Sequence, residues 1–401
     1  MGKGEPVTLR VGFDGAMLRT PHTGSGQYSA ALIAALRELA EIEIVLLSPE
    51  PLPTEPGAVI VRPPRLLTSE RVRKVWWEQI GIGRAARQAD AQIVHIPYFA
   101  APLRQAIPHV VTVHDVIPLL MPVYAGGRAM RAYLRLVSAG TRRAAQVIAD
   151  SECSRRDAIR VLKLSDARVT TIPLAVREGF GATRDEALIA RLRDQYRLHG
   201  TRVIFNVAGL DVRKNVATLL KAFARVVAEM GDDVRLVIGG KAHGNAALYP
   251  DPVPVARELG IMDHVVFAGA ISDAEKIAFY QLVDCYVAPS RYEGFGLTAL
   301  EAMACGTPVV AADASCTPEV VGEGALLVAP EDVVGFATAI IGVLTDDALA
   351  RRMRQQGLHR AQQFSWERTA TATRAVYQRA RNATQPALSQ AAGEQPVEIA
   401  R

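Results

Sequence analysis

Lysine is nearly absent. Of the 46 Lys and Arg in this 401-residue chain only seven are lysines (Lys3, Lys74, Lys163, Lys214, Lys221, Lys241 and Lys276), so arginine carries the basic charge. Such a bias speaks first of genome composition and only second of function. Cysteine is also sparse: Cys153, Cys285, Cys305 and Cys316 form no Cys-x-x-Cys pair, which argues against zinc and disulfide frameworks and for free thiols in a reducing cytoplasm. No apolar run approaches the ~18 residues of a membrane-spanning helix. The stretch Met1–Pro6 has no apolar signal region, and the reading is of a cytoplasmic protein. The 31 Gly and 23 Pro are scattered, which excludes a collagen-like repeat, and 49% hydrophobic with 22% charged residues excludes wholesale disorder.

The charge that is present is uneven. Residues 1–178 hold 23 Lys+Arg against 16 Asp+Glu, a net of +7, whereas residues 179–401 hold 23 against 25, a net of −2. A basic N-terminal half suggests an anionic partner there: a phosphorylated ligand, a membrane surface or nucleic acid. Strand-length apolar runs alternate with amphipathic helical stretches in two series. The first runs through Leu9–Phe13, Ile42–Leu47, Ile93–His95, Val110–His114, Val147–Ala149 and Val169–Ile172. The second runs through Val203–Val207, Arg235–Ile238, Val265–Ala268, Cys285–Ala288, Pro308–Ala311 and Ala325–Val328. Alternating β and α predicts parallel sheets covered by helices, here two doubly wound domains. The domains are expected at 1–178 and 179–363, followed by a helix over 364–381 that packs back on the N-terminal domain and a disordered tail over 382–401.

Four segments carry chemistry. Thr23-Gly-Ser-Gly-Gln-Tyr-Ser29 follows the first strand, where Gly24 and Gly26 suit either close approach to a phosphate or a plain structural turn. Thr112-Val-His-Asp115 places His114 at the carboxyl end of the fourth predicted strand, the edge that faces the ligand in open parallel sheets. Gly209-Leu-Asp-Val-Arg-Lys-Asn215 puts Arg213 and Lys214 just before a helix, where they either neutralise a diphosphate or form a solvated basic turn. The fourth is Glu293-Gly-Phe-Gly-Leu-Thr-Ala-Leu-Glu301. Glu293 falls in a loop above a strand end, Gly294-Phe-Gly296 opens a helix at Leu297, and Glu301 lies about one turn inside it. Two acceptors for sugar hydroxyls then flank a helix start that presents amides to an anion.

On these residues the chain resembles the retaining family-4 glycosyltransferases of the GT-B type: an α/β fold of two Rossmann-like doubly wound domains with a cleft between them. Glu293–Glu301 matches the family's Glu-x7-Glu motif, and the likeness extends over about residues 8–380, through Asp150-Ser-Glu-Cys-Ser-Arg-Arg156 and Phe364-Ser-Trp366. The Val113-His-Asp-Val-Ile-Pro118 and Arg-Lys-Asn forms are similar to a bacterial branch rich in mannosyltransferases for surface polysaccharides. The resemblance implies transfer of a hexose, best taken as mannose, from a GDP- or UDP-sugar without metal or cofactor, to a glycan, lipid-linked or small-molecule acceptor in the N-terminal domain. It further implies that Gly24 and Gly26 approach the donor diphosphate, His114 reaches the transferred sugar, and Arg213 and Lys214 stabilise the leaving nucleoside diphosphate. Glu293 then meets the sugar hydroxyls, Glu301 the ribose, and Gly294, Phe295, Gly296 and Leu297 give amides to the phosphates. One departure is Gly209, which stands where many relatives carry arginine.

Other readings remain to be weighed. A nicotinamide-dependent dehydrogenase would use Gly24-x-Gly26 and Glu50, but Ser29 replaces the third glycine of that fingerprint. A sugar-nucleotide epimerase or phosphorylase, or a non-catalytic partner subunit, would share the scaffold. Arg71-Val-Arg-Lys-Val-Trp-Trp77 and the Arg128–Arg143 helix form either a solvated arginine fringe over buried aromatics or a peripheral patch for an anionic membrane at its inner face. No nucleic acid is expected.

Overall fold

The computed structural model describes residues 8–21, 23–181, 183–240 and 245–383. By contacts the chain divides into two units, one running to Pro173 and resuming at Trp366, the other Leu174–Ser365. The expected boundary at 178/179 therefore moves to Pro173/Leu174. The reason is local: Arg177 pairs with Asp273 at 3.0 Å, and Phe180 packs beside Tyr280 at 6.3 Å between ring centres, so this stretch is held by the second unit.

Among the described residues the first unit contains seven strands: β1 (Leu9–Asp14), β2 (Ile42–Ser48), β3 (Val59–Ile60), β4 (Ile93–Ile96), β5 (His109–Val113), β6 (Gln146–Ala149) and β7 (Val169–Thr171). They form one sheet in the order β3-β2-β1-β4-β5-β6-β7, every pair parallel. β3 was not expected. Two residues at a sheet edge are too few to show a period, and they make His114 follow the fifth strand rather than the fourth. Strands β4, β5 and β6 are buried throughout, as strands covered on both faces must be, and so read as unbroken apolar runs. The helix Trp366–Asn382 belongs to this unit and is fastened by the Tyr377 hydroxyl at 2.6 Å from His95 Nδ1 and by Thr369 donating to the Pro173 carbonyl at 2.8 Å. Asn382 ends that helix; from residue 384 the expected tail lies outside the described residues.

The helical stretch that contains Arg71–Trp77 is interrupted. Glu70–Trp76 and Ile82–Gln88 are α-helical, but Trp77–Gly81 forms a wider π-turn. Gly81 lies against both indole rings, and a Cβ there would come within 2.6 Å of Trp77. The widened turn lets two adjacent tryptophans be accommodated; such turns are often found at functional sites.

The second unit contains β8 (Arg202–Val207), β9 (Val234–Gly239), β10 (Val265–Gly269), β11 (Cys285–Ala288), β12 (Val309–Ala312) and β13 (Ala325–Val328). They pair in parallel in the order β10-β9-β8-β11-β12-β13. Phe223, Leu219 and Val226 of the Val216–Met230 helix and Phe336 and Ile340 of the Val333–Thr345 helix are fully buried in one core with this sheet. In each sheet the order reverses at a switch point, between β1 and β4 in one and β8 and β11 in the other. Parallel sheets bind ligands beyond the carboxyl ends of the strands at such points.

Candidate active site

In the second unit the loops after β8 and β11 flank the switch point and bring together three of the expected residues. Lys214 Nζ stands 2.5 Å from Glu293 Oε1, and Arg213 Nη1 stands 2.8 Å from Glu293 Oε2. Arg213 Nε also meets Asp211 Oδ1 at 3.3 Å. The three side chains are 19%, 11% and 14% exposed for Arg213, Lys214 and Glu293, so the triad is shielded without being sealed. Burial alone would raise the Glu293 carboxyl, but the Lys214 ammonium and then the Arg213 guanidinium overcome it and hold it at about 2. Local structure sets this up. Asp211 caps the short turn Val212–Lys214, and Asn215, in the left-handed region, starts the next helix while its amide donates to the Pro289 and Pro330 carbonyls.

The helix Leu297–Ala304 opens as expected. Gly296 precedes it with φ +84°, a conformation that favours glycine, and no side chain caps its first turn. Glu293, Gly294, Phe295 and Gly296 thus lie in one loop that leads into Leu297. Glu301 stands apart from the triad in its contacts. Lys276 Nζ is 3.0 Å from its carboxylate and the Tyr280 hydroxyl donates to it at 3.1 Å, both from the helix Asp273–Leu282. The Glu301 side chain is 4% exposed, and burial raises its pKa despite Lys276 and Tyr280.

In the first unit His114 follows β5. Its Nδ1 is 2.7 Å from Asp150 Oδ2 and its Nε2 is 3.0 Å from the Pro97 carbonyl oxygen. Both neighbours are acceptors, so the ring satisfies both only as the imidazolium. Burial works against the charge, but Asp150, helped by Asp115 and the Pro97 carbonyl, outweighs it and the pKa is raised. Tyr28 packs edge-on against the ring at 4.7 Å between centres. Gly24 opens the helix Gly24–Arg37 with open space around it, whereas a Cβ on Gly26 would collide with the Thr20 carbonyl oxygen. The Gly26 amide is already committed to the Thr23 hydroxyl at 3.2 Å, so packing and capping account for this glycine without a ligand. Trp77 is 2% exposed and Trp76 lies under Arg84, so the paired indoles do not form an exposed interfacial anchor.

Sequence reasoning missed Asp150, Lys276 and Tyr280 as partners of expected site residues. Asp150 lay within a run already singled out, at the end of the strand next to that of His114, which was the available signal. Lys276, one of seven lysines, is four residues before Tyr280 on one helix face.

Two parallel doubly wound domains with a charged cluster at a strand-end switch point define a GT-B architecture. Residues 22–178 match the family model "Glycosyltransferase Family 4" and residues 189–360 match "Glycosyl transferases group 1". The chain is 32% identical to the MMP alpha-(1->4)-mannosyltransferase of Mycolicibacterium hassiacum, over 74% of this chain and 72% of that one. It is 27% identical to the O-antigen chain mannosyltransferase B of Escherichia coli, over 92% and 99%. It is 31% identical to the serotype-specific mannosyltransferase WbdA of Escherichia coli, where the match covers 70% of this chain and only 34% of the relative's length. Among solved structures, sucrose-phosphate synthase of Thermosynechococcus elongatus superposes with a TM-score of 0.73 at 23% identity, covering 94% and 100% of the two chains. HepE of Anabaena in complex with UDP-glucose gives 0.72 at 19%, covering 92% and 99%. The chain belongs to the family-4 glycosyltransferases, and its similarity is to bacterial mannosyltransferases.

Proposed function

We propose that this protein is a retaining hexosyltransferase that moves mannose from a nucleotide-diphosphate sugar, GDP- or UDP-linked, to a glycan acceptor. The observation that carries the reading is the Arg213–Glu293–Lys214 triad beyond β8 and β11. Breaking a glycosyl–phosphate bond leaves a nucleoside diphosphate, and a preorganised pair of cations is what stabilises that leaving group. Glu293 holds the two cations 2.5 and 2.8 Å from its oxygens and, ionised at neutral pH, can accept from sugar hydroxyls. Further support comes from the uncapped start of the Leu297–Ala304 helix, whose amides suit a phosphate, and from Glu301 as an acceptor for the ribose. His114, oriented by Asp150 at Nδ1, suits a hydroxyl of the transferred sugar as a donor from Nε2 once that hydroxyl takes the place of the Pro97 carbonyl. With cations supplied by the protein, the reaction needs no metal. The names of the mannosyltransferase relatives support mannose, and the UDP-glucose bound by HepE supports a nucleotide-sugar donor.

The acceptor belongs to the first unit, and Arg71, Arg128 and the exposed Val72, Ile80 and Met130 support peripheral contact with an anionic membrane that carries a lipid-linked acceptor. No single helix among the described residues is long and apolar enough to cross one. Incubation with GDP-mannose and UDP-hexoses tests the reading: slow release of free sugar and nucleoside diphosphate from one donor, lost in Glu293→Gln, is expected. Absence of turnover with every donor would overturn it.

A further inference from the structure

Beyond the carboxyl ends of β1, β2 and β4 the first unit has a cavity of about 510 Å³. It sits at that sheet's own switch point, between the segment Ala16–Thr20 after β1, Pro49 and Glu50 after β2, and Tyr98 after β4. The helix Glu70–Trp76 and Trp77 close the remaining side. Its volume falls in the range of small-molecule sites, ~300–1,000 Å³.

The wall is cationic. Arg19, Arg71, Arg73 and Lys74 line it against the carboxylates Glu50 and Glu70. Glu50 lies 2.5 Å from Arg19 and 3.0 Å from Arg73 and satisfies both. Arg71 has no carboxylate partner among the described residues. Lys74, half exposed, reaches Glu78 at 3.7 Å and the face of the Tyr133 ring at 5.2 Å, and burial pushes the Glu78 carboxyl up to about 7. The floor is prearranged by a buried carboxylate: Asp14 Oδ1 accepts from the Trp77 indole at 3.2 Å and Oδ2 from the Tyr98 hydroxyl at 3.0 Å. Asp14 is 1% exposed and burial raises it to about 6. The same carboxylate accepts from the Ala16 amide at 3.0 Å and caps the turn Gly15–Arg19, so that it fixes this turn and two aromatic rings at the cavity edge.

We propose that this cavity binds a phosphate-bearing acceptor, with Arg71 and Lys74 on the phosphate and, where the acceptor has a sugar ring, that ring beside Tyr98. The proposal rests on the glycosyltransferase reading and names the acceptor class. A soluble sugar phosphate brings the phosphate with a ring and a polyprenyl-phosphate lipid brings it alone; the contact of Arg71 and Lys74 with the phosphate is common to both.

The test is binding of mannose and mannose 6-phosphate to the full chain at constant ionic strength, in parallel with vesicles that contain polyprenyl phosphate. Mannose 6-phosphate should bind at least about tenfold more tightly than mannose, as one charge-assisted contact warrants. Arg71→Ala/Lys74→Ala should abolish that preference, while Arg87→Ala/Arg104→Ala, an equal charge loss at exposed residues outside the cavity wall, should keep it. The same pattern only on polyprenyl-phosphate vesicles would support the lipid source. Equal binding of mannose and its phosphate with no vesicle binding, or equal effects of the two double variants, overturns the proposal. Donor hydrolysis is measured on the same samples: its absence strikes the glycosyltransferase reading, whereas its persistence without phosphate selectivity strikes only the cavity.

Discussion

Replacing Glu293 by Gln keeps the side-chain shape and removes the one charge that Arg213 and Lys214 share. The carboxyl is held at about 2 instead of its ordinary 4.5. At 1.36 kcal/mol per unit, the ion contributes about 3 kcal/mol to folding at neutral pH. Because the folded pKa is depressed, that stability is present above pH 4.5 and lost as pH falls through 2. The gap between wild type and variant should therefore narrow from about 3 kcal/mol at pH 7 to about 1 kcal/mol at pH 3. Calorimetry reads this directly. For a unit of this size ~1 kcal/mol shifts Tm by ~2–4 °C, so the transition of the Leu174–Ser365 unit should fall by about 6–12 °C at pH 7 and by much less at pH 3. Since the chain has two units, the transitions must be resolved separately rather than fitted as one. A shift under ~2 °C at pH 7, or one that does not depend on pH, would refute the assignment of Glu293 as the charge that binds the two cations together.

Lys214→Ala should lower kcat/KM for transfer by about 30- to 1,000-fold, the loss of ~2–4 kcal/mol of leaving-group stabilisation, and near-native turnover would remove the lysine from that role. Transfer should survive EDTA; if chelation abolishes it and Mg²⁺ or Mn²⁺ restores it, the protein's cations are not sufficient. Asp150→Asn should lower the His114 pKa, followed by the ring's NMR titration, because it removes the carboxylate 2.7 Å from Nδ1. The wild-type pKa is raised, so the stabilisation it provides is full below the ordinary histidine value and fades as pH rises through the folded one. The variant should accordingly lose more stability at pH 5.5 than at pH 9, and a loss of equal size at both would contradict an imidazolium at this position.

Apart from β3, the strands of both sheets were legible in the sequence, most plainly β4, β5, β6, β11 and β12, which are almost wholly buried, and burial on both faces writes a continuous apolar run. The glycine-opened helix at Leu297 was legible for a different reason: only a residue that tolerates φ +84° fits before it. What could not be read is which charge meets which. Arg213 and Glu293 are separated by most of three βα units, and only the parallel pairing of β8 with β11 sets their loops side by side. Asp150 likewise reaches His114 because β5 and β6 are neighbours in register, Val113 opposite Ala149, so that the next residues of both chains meet. A motif therefore names the residues of the site, while strand order decides their partners. The Lys276–Glu301 pair shows the consequence. The Glu-x7-Glu spacing suggests two equivalent acceptors, yet one carboxylate is held ionised by two cations at a strand-end loop and the other is buried beside one cation and a tyrosine, with its pKa raised. Two glutamates in such different environments suit different tasks, and under the proposed transfer these are Glu293 at the reacting sugar and Glu301 at the ribose diol.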